Sequence, residues 1–275
     1  MKRSHSTRAP APPPAREARP PTILAVQHAV QVLRSLSAEG PAGVSEIALR
    51  VGLHKSTVSR LVATLQEDDL VERDPSTRRI RVGPGLLSVA SPLLHRGSIA
   101  EVVRAPLLEL AQRCGETISL SIWDGAGAVN LEQMLGGKAI KHYAPPGSRN
   151  PAHCTAAGKL LLAHAPAAAL ERVLARELPR YTPKTIATAA ALRTEIALVR
   201  RRGYALNNGE FAVDVGGIAV PLTGSDGEVT GAITATVPMY RFAASQRTRL
   251  LGQLLAAGEA ASARLARRDM DRGAA

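Results

Sequence analysis

Apolar residues recur at helical spacing through the first hundred positions and at strand spacing further on. From Thr22 to Ala38 the apolar positions are Val26, Ala29, Val30, Leu33 and Leu36, which predicts a helix with that stripe buried and Thr22 as its cap. Gly40, Pro41 and Gly43 end it. Val44, Ile47, Ala48 and Val51 then form one face of a short helix, closed by Gly52, where glycine supplies the left-handed turn. A second run buries Val58, Leu61, Val62 and Leu65, leaving Lys55, Ser56, Thr57, Ser59 and Arg60 outside. A short helix, a Gly turn and a second helix with a small polar and basic outer face predict a helix-turn-helix. Residues 70–73 and 78–82 read as two strands around the polar turn Asp74-Pro75-Ser76-Thr77, so a two-stranded wing follows.

Beyond Gly83-Pro84-Gly85 the apolar residues Leu86, Leu87, Val89, Ala90, Leu93 and Leu94 predict a linker helix that Pro92 kinks or restarts. Helical spacing returns over 99–114, 155–164, 167–177, 189–202 and 243–268. Strand-like runs cover 117–123, 128–135, 139–143, 218–222 and 228–237, with 145–151 as a loop and 224–227 as a hairpin turn. The fold class expected is a mainly α winged helix-turn-helix domain followed by an α+β domain around a mainly antiparallel sheet. The expected divisions are a disordered basic, Pro-rich arm (1–21), the DNA-binding domain (22–83), the linker helix (84–98), the second domain (99–268) and a tail (269–275).

Composition narrows the partner. Net charge is +12, with +5 in residues 1–85 and +7 in the remainder. A polyanion fits this balance, although an Arg-rich surface also follows from a GC-rich genome, so charge alone does not select the half that meets it. Aromatics make up only 3%, which argues against stacking on single-stranded nucleic acid. Double-stranded DNA is the partner the helix-turn-helix predicts, with Thr57, Ser59 and Arg60 reading bases. Lys55, Ser56, Arg78 and Arg79 are placed to hold phosphates. Two cysteines suit a reducing cytoplasm, and no apolar run is long enough to span a membrane.

Four separated stretches carry a family resemblance: IALRVGLHKSTVSRLVATL, VERDPSTRRIRVGPGLL, AHCTAAGKLLLA and GYALNNGEFAVDVGGIAVPLTGSDGEVTGAITATVP. In this order they resemble the IclR family of bacterial transcriptional regulators, over residues 22 to about 267. The resemblance implies that the second domain is GAF-like and binds an effector, that the chain forms a homodimer or a dimer of dimers, and that the protein is not an enzyme. It also implies that Ala156, Ala157, Asn207, Gly217, Thr234 and Thr236 line the effector pocket, with a small organic acid as ligand. His142 and Asn150 are secondary candidates. Three positions depart from the family pattern: His28 stands where Arg is frequent, His54 where Pro is common, and Gly217 where Cys or Ser is often found.

The residues add their own reasons. Ala156, Ala157 and Gly158 are small and open a helix, so its first amides stay approachable to an anion. Thr234 and Thr236 share one face of a strand. Gly158-Lys159 lacks the rest of a phosphate loop, since His153 and Leu160 stand where Gly and Ser or Thr are needed. Seven His and two Cys show no zinc-like spacing, so no metal and no cofactor are expected. The alternative is an enzyme fused to a DNA-binding domain, with Cys154 as nucleophile beside His153.

Overall fold

The computed structural model describes residues 23–94 and 99–273; the arm expected over 1–21, the cap expected at Thr22 and residues 95–98 of the linker lie outside the described residues. The chain divides into two compact units between residues 95 and 96.

The first unit begins with α1 (Leu24–Glu39), α2 (Val44–Val51) and α3 (Lys55–Glu67). The wing strands β1 (Val71–Arg73) and β2 (Ile80–Val82) pair antiparallel, and α4 (Gly85–Leu94) follows without a break at Pro92. Gly52 lies at φ 67°, the left-handed cap that reverses the chain between α2 and α3. The core joins Val32, Leu36, Ile47, Val58, Val62, Leu65, Val71 and Ile80. Of the expected stripe of α1, Leu36 is buried and Ala29 and Leu33 pack against the core, while Val26 and Val30 are 58% and 40% exposed; Val32 and Ser35 are buried in addition. The buried side of the helix is therefore rotated toward Val32 relative to the expected stripe, and Val26 and Val30 fall at its edge.

The second unit is a six-stranded antiparallel sheet in the order β5-β4-β3-β8-β7-β6. Its strands are β3 (Thr117–Trp123), β4 (Gly127–Met134), β5 (Arg149–Pro151), β6 (Ala205–Asn208), β7 (Val215–Thr223) and β8 (Val229–Pro238). Its helices are α5 (Ile99–Cys114), α6 (Ala156–His164), α7 (Ala167–Leu174), α8 (Ala189–Arg202) and α9 (Ala244–Gly273). Strand alternation sorts the faces. Ile118, Leu120, Ile218, Val220, Leu222, Ile233, Ala235 and Val237 pack with α5 and α9. Ala128, Ala219 and Ala232 turn to the other face, toward α6 and α8.

Several boundaries depart from expectation. Residues 139–143 form no strand; side chains hold this stretch instead, with Asn130 donating to the Ala144 carbonyl (2.6 Å) and Arg241 to that of Ile140 (2.9 Å). The third meander strand is β5, inside the segment expected to be a loop. β6 pairs with β7 where no strand was expected. α7 stops at Leu174, and α9 continues five residues past Arg268 through most of the expected tail.

Glu116, 3% exposed, pins the start of β3. Lys138 donates to it at 2.6 Å and Arg241 at 2.9 and 3.1 Å. Burial alone would raise its carboxyl, but these hydrogen bonds outweigh burial and hold it below the ordinary carboxylate range. A carboxyl held low stabilises the fold above its unfolded pKa, and the contribution is lost as pH falls through the lower folded value. The second unit is therefore expected to lose stability on acidification, and Glu116→Gln to flatten that dependence. Urea midpoints followed by Trp123 fluorescence between about pH 6 and pH 3 test this; parallel curves for the two proteins would refute it.

Candidate functional site

The face expected to read DNA is built on α3. His54 is its N-cap, accepting from the Ser56 amide at 3.3 Å and meeting the Ser56 hydroxyl at 2.7 Å. The residue that departs from the family pattern thus does a capping job through its ring. Lys55, Ser56, Ser59 and Arg60 are exposed and Thr57 is half-buried. Thr57, Arg60 and Thr64 share a groove between α1 and α3 with His28. The wing separates its two arginines. Arg78, at φ 60°, is exposed near the tip. Arg79 is tied back: its guanidinium donates to the Pro41 carbonyl at 2.7 and 2.9 Å and to Glu46 at 2.8 Å. Glu46 also holds Arg50 at 2.5 Å. The Arg79 side chain fastens the wing to α2 while staying partly exposed.

The second unit contains a cavity of about 90 Å³ between the sheet and the start of α6. Ala156, Ala157, Asn207, Gly217, Thr234 and Thr236 all line it, as do His142 and Asn150. Ser119, Ser121, Asn130, Gln133, Ala144, Thr155, Phe211, Ala212, Val215 and Gly216 complete the wall, and sequence reasoning missed them. The serines were within reach, since TISLSIW alternates polar and apolar residues in one strand. Asn130 and Gln133 were not, because their spacing of three puts them on opposite faces of a regular strand. A bulge in β4, opposite Leu120/Ser121, switches the parity so that both reach the cavity.

Polar side chains alternate around it with Ala, Gly, Val and Phe, and most of the surface left open is apolar. No Lys, Arg, Asp or Glu lines it, and His142 is its one ionisable imidazole. Thr155 caps α6 and accepts the Gly158 amide at 3.1 Å. The Gly158 amide is thus engaged, leaving those of Ala156 and Ala157 as the first-turn donors. Gly158 serves packing instead: a Cβ there would lie 2.4 Å from the Pro151 carbonyl and 2.8 Å from Ala152 Cα. Gly217 is different, since a Cβ would meet Ala156 Cβ at 3.6 Å, an ordinary contact. Asn207 accepts the Glu210 amide through Oδ1 at 2.8 Å, so its NH2 is the half left for other partners. Two lining residues have a buried oxygen without a partner, Thr234 Oγ1 and Asn130 Oδ1.

Behind this wall lies a buried ionic cluster. Lys159, 1% exposed, donates to both Glu210 oxygens at 2.7 Å and lies 3.2 Å from Glu195, which pairs with Arg202 at 3.0 Å. Thr182 and Thr185 hydroxyls hold the Gly209 and Glu210 carbonyls at 2.8 and 2.6 Å. The cluster fixes α6 against the loop carrying Phe211 and Ala212. Cys154 is fully buried, and burial with the Glu210 carboxylate nearby pushes its thiol up to about 12. His153 bonds to the Pro179 carbonyl at 3.0 Å. A thiol held protonated is a poor nucleophile, so the geometry gives the enzymatic alternative no support. Among the described residues no group of three His, Cys, Asp or Glu is placed to hold a metal, and no helix is long and apolar enough to cross a membrane.

A winged helix-turn-helix joined to a sheet domain with a cavity at the start of a helix defines a two-unit transcriptional regulator. The bacterial transcriptional regulator IclR C-terminal domain matches residues 92–263, and the IclR helix-turn-helix domain matches residues 25–75. The chain belongs to the IclR family, and its second unit has the family's GAF-like fold. It is 33% identical over 220 residues to the HTH-type transcriptional regulator BhcR of Paracoccus denitrificans, covering 80% of this chain and 79% of that protein. The crystal structure of an IclR transcriptional regulator from Alicyclobacillus acidocaldarius superposes with a TM-score of 0.74 at 25% identity, covering 88% of this chain and 99% of the other. An IclR homologue from Microbacterium hydrocarbonoxydans, crystallised with 4-hydroxybenzoate, gives 0.73 at 27% identity and covers 88% and 98%.

Proposed function

We propose that this chain binds a palindromic operator as a homodimer or a dimer of dimers, and that a small organic acid in the second unit's cavity sets its affinity for that operator. The observation that carries the effector half is that the start of α6 lines the cavity, with the Gly158 amide taken by the Thr155 cap and the amides of Ala156 and Ala157 left as its first-turn donors. The homologue that holds 4-hydroxybenzoate supports a carboxylate ligand by likeness. Effector binding shifts the population between arrangements of different DNA affinity. Exposed Leu24, Val26 and Val30 on α1, and Leu87 and Val89 on α4, support pairing of DNA-binding units through these helices. Paired units read half-sites about 34 Å apart, or multiples of that distance.

Thr57, Ser59 and Arg60 are assigned to base edges, and Lys55, Ser56 and Arg78 to phosphates. Arg79 sets the wing through Pro41 and Glu46, and its exposed part is assigned to a neighbouring phosphate. Arg60→Ala is expected to weaken cognate binding by about 1–3 kcal/mol and relax the preference at one base position. Gel shifts against the cognate operator and single-base variants measure this, and unchanged cognate affinity would remove the assignment. A thermal-shift screen of organic acids, followed by the same gel shift with any that bind, tests the effector half. If no acid both stabilises the protein and changes operator affinity, that half fails.

A further inference from the structure

We infer that the second unit carries a second ligand site, outside the cavity already described, and that it takes a carboxylate on a flat apolar body, such as an aromatic acid. The site is a pocket of about 150 Å³ between the end of α7, the turn joining β3 to β4, and the segment that leads into α6. Arg172 and Arg176 both line it. The chain keeps its helical course between them: the Ala175 amide donates to the Glu171 carbonyl at 2.9 Å, and the Arg176 amide to that of Val173 at 3.2 Å. Residues four apart on such a turn are neighbours on one face, so the two arginines border the same opening. Other cations of this unit are committed, with Lys138 held by Glu116 at 2.6 Å and Arg202 by Glu195 at 3.0 Å. Glu171, the acid next to Arg172, is turned away to Arg193 through both oxygens, at 2.7 and 2.8 Å. Neither Arg172 nor Arg176 has a side-chain partner among the described residues.

An unpaired guanidinium presents a planar fork of donors that matches a carboxylate. Glu177 is the one acid in the wall, so two positive charges face one negative. Much of the remaining lining is apolar, from Val173, Leu178 and the ring of Tyr181, which is 47% exposed and free to be covered. Charge at one side and an apolar wall at the other suit an amphiphilic ligand better than a bare ion. Size separates the two sites: a cavity of roughly 150 Å³ admits benzene, which this pocket matches and the first cavity, at about 90 Å³, does not. The sites share a partition. Tyr181 meets Phe211 edge to face with ring centroids 5.0 Å apart, and Phe211 stands in the wall of the first cavity. His153, its ring 5.9 Å from that of Tyr181, lines the second pocket two residues before the α6 cap.

The test is isothermal titration of the full-length protein with benzoate, beside benzyl alcohol, acetate and inorganic phosphate. Benzoate is expected to bind about tenfold tighter than benzyl alcohol, which lacks the charge, and than acetate, which lacks the apolar body. The double variant Arg172→Gln with Arg176→Gln should weaken benzoate by about tenfold or more. Gly217→Val adds bulk between Ala156 and Asn207 in the first cavity, and should leave benzoate binding intact. Trp123 urea midpoints verify that both variants fold. Benzoate binding that survives the double arginine variant, or that Gly217→Val abolishes, overturns the second site and leaves the organic-acid reading of the first cavity standing. Acetate or phosphate binding as tightly as benzoate overturns the ligand class. No benzoate binding up to ~10 mM overturns the inference outright.

Discussion

Replacing Lys159 by Met is expected to lower the unfolding free energy of the second unit by about 3–5 kcal/mol. The cluster behind the cavity balances two cations, Lys159 and Arg202, against two carboxylates, Glu210 and Glu195. Removing Lys159 leaves Glu210 buried, with both of its 2.7 Å partnerships gone. Burial already raises the Glu210 carboxyl even with the ammonium beside it. Without Lys159 it takes up a proton or draws in water, and either outcome disturbs the loop that carries Phe211. The protein has one tryptophan, Trp123 in β3, so fluorescence-detected urea unfolding reports on this unit alone. A double variant, Lys159→Met with Glu210→Leu, should recover much of the loss, because an apolar pair of similar volume often matches a buried ion pair. A single variant as stable as the parent would show that the cluster contributes no net stability.

Gly158→Ala is expected to cost about 3 kcal/mol or more, beyond the usual range for one added methyl. The new Cβ would meet backbone atoms of Pro151 and Ala152 and the Thr155 hydroxyl at 2.6 Å, and none of these is the free end of a flexible chain. α6 must move away from the segment that β5 anchors, taking the Ala156 and Ala157 amides with it. The same change at Gly217 is the control: with its nearest contact at 3.4 Å, Gly217→Ala should leave the urea midpoint almost unchanged. Equal midpoints for the two alanine variants would contradict the packing argument.

Much of the fold was legible in the sequence because the two periodicities are clean where packing is one-sided. Thr117–Trp123 and Ala189–Arg202 appear with the boundaries their patterns predict. What escaped had physical reasons. β6 is four residues, two of them Asn, too short to show a period. β5 contains Pro151 and pairs only at the sheet edge. On α1 the apolar residues cover a wide arc, so the pattern alone did not show that Val32 is buried and Val26 and Val30 are exposed. In the cavity, the residues named from the family motif all line the wall, yet the pattern could not show which of their hydrogen-bonding groups are already used. Asn207 Oδ1, the Gly158 amide and the Arg79 guanidinium all looked available in the sequence and are engaged by neighbours. Nothing near Lys159 in the sequence points to its partner, Glu210, 51 positions away.

The pairing of β3 with β8 at the centre of the sheet also sets an order of events during synthesis. Ser119 faces Thr234 across that ladder, so the sensor cannot close until the chain beyond residue 236 has left the ribosome. The helix-turn-helix core and its wing draw only on residues 29–80 and can form much earlier. At ordinary elongation rates the gap is on the order of ten seconds. For that interval each nascent chain presents a DNA reader before its sensor exists.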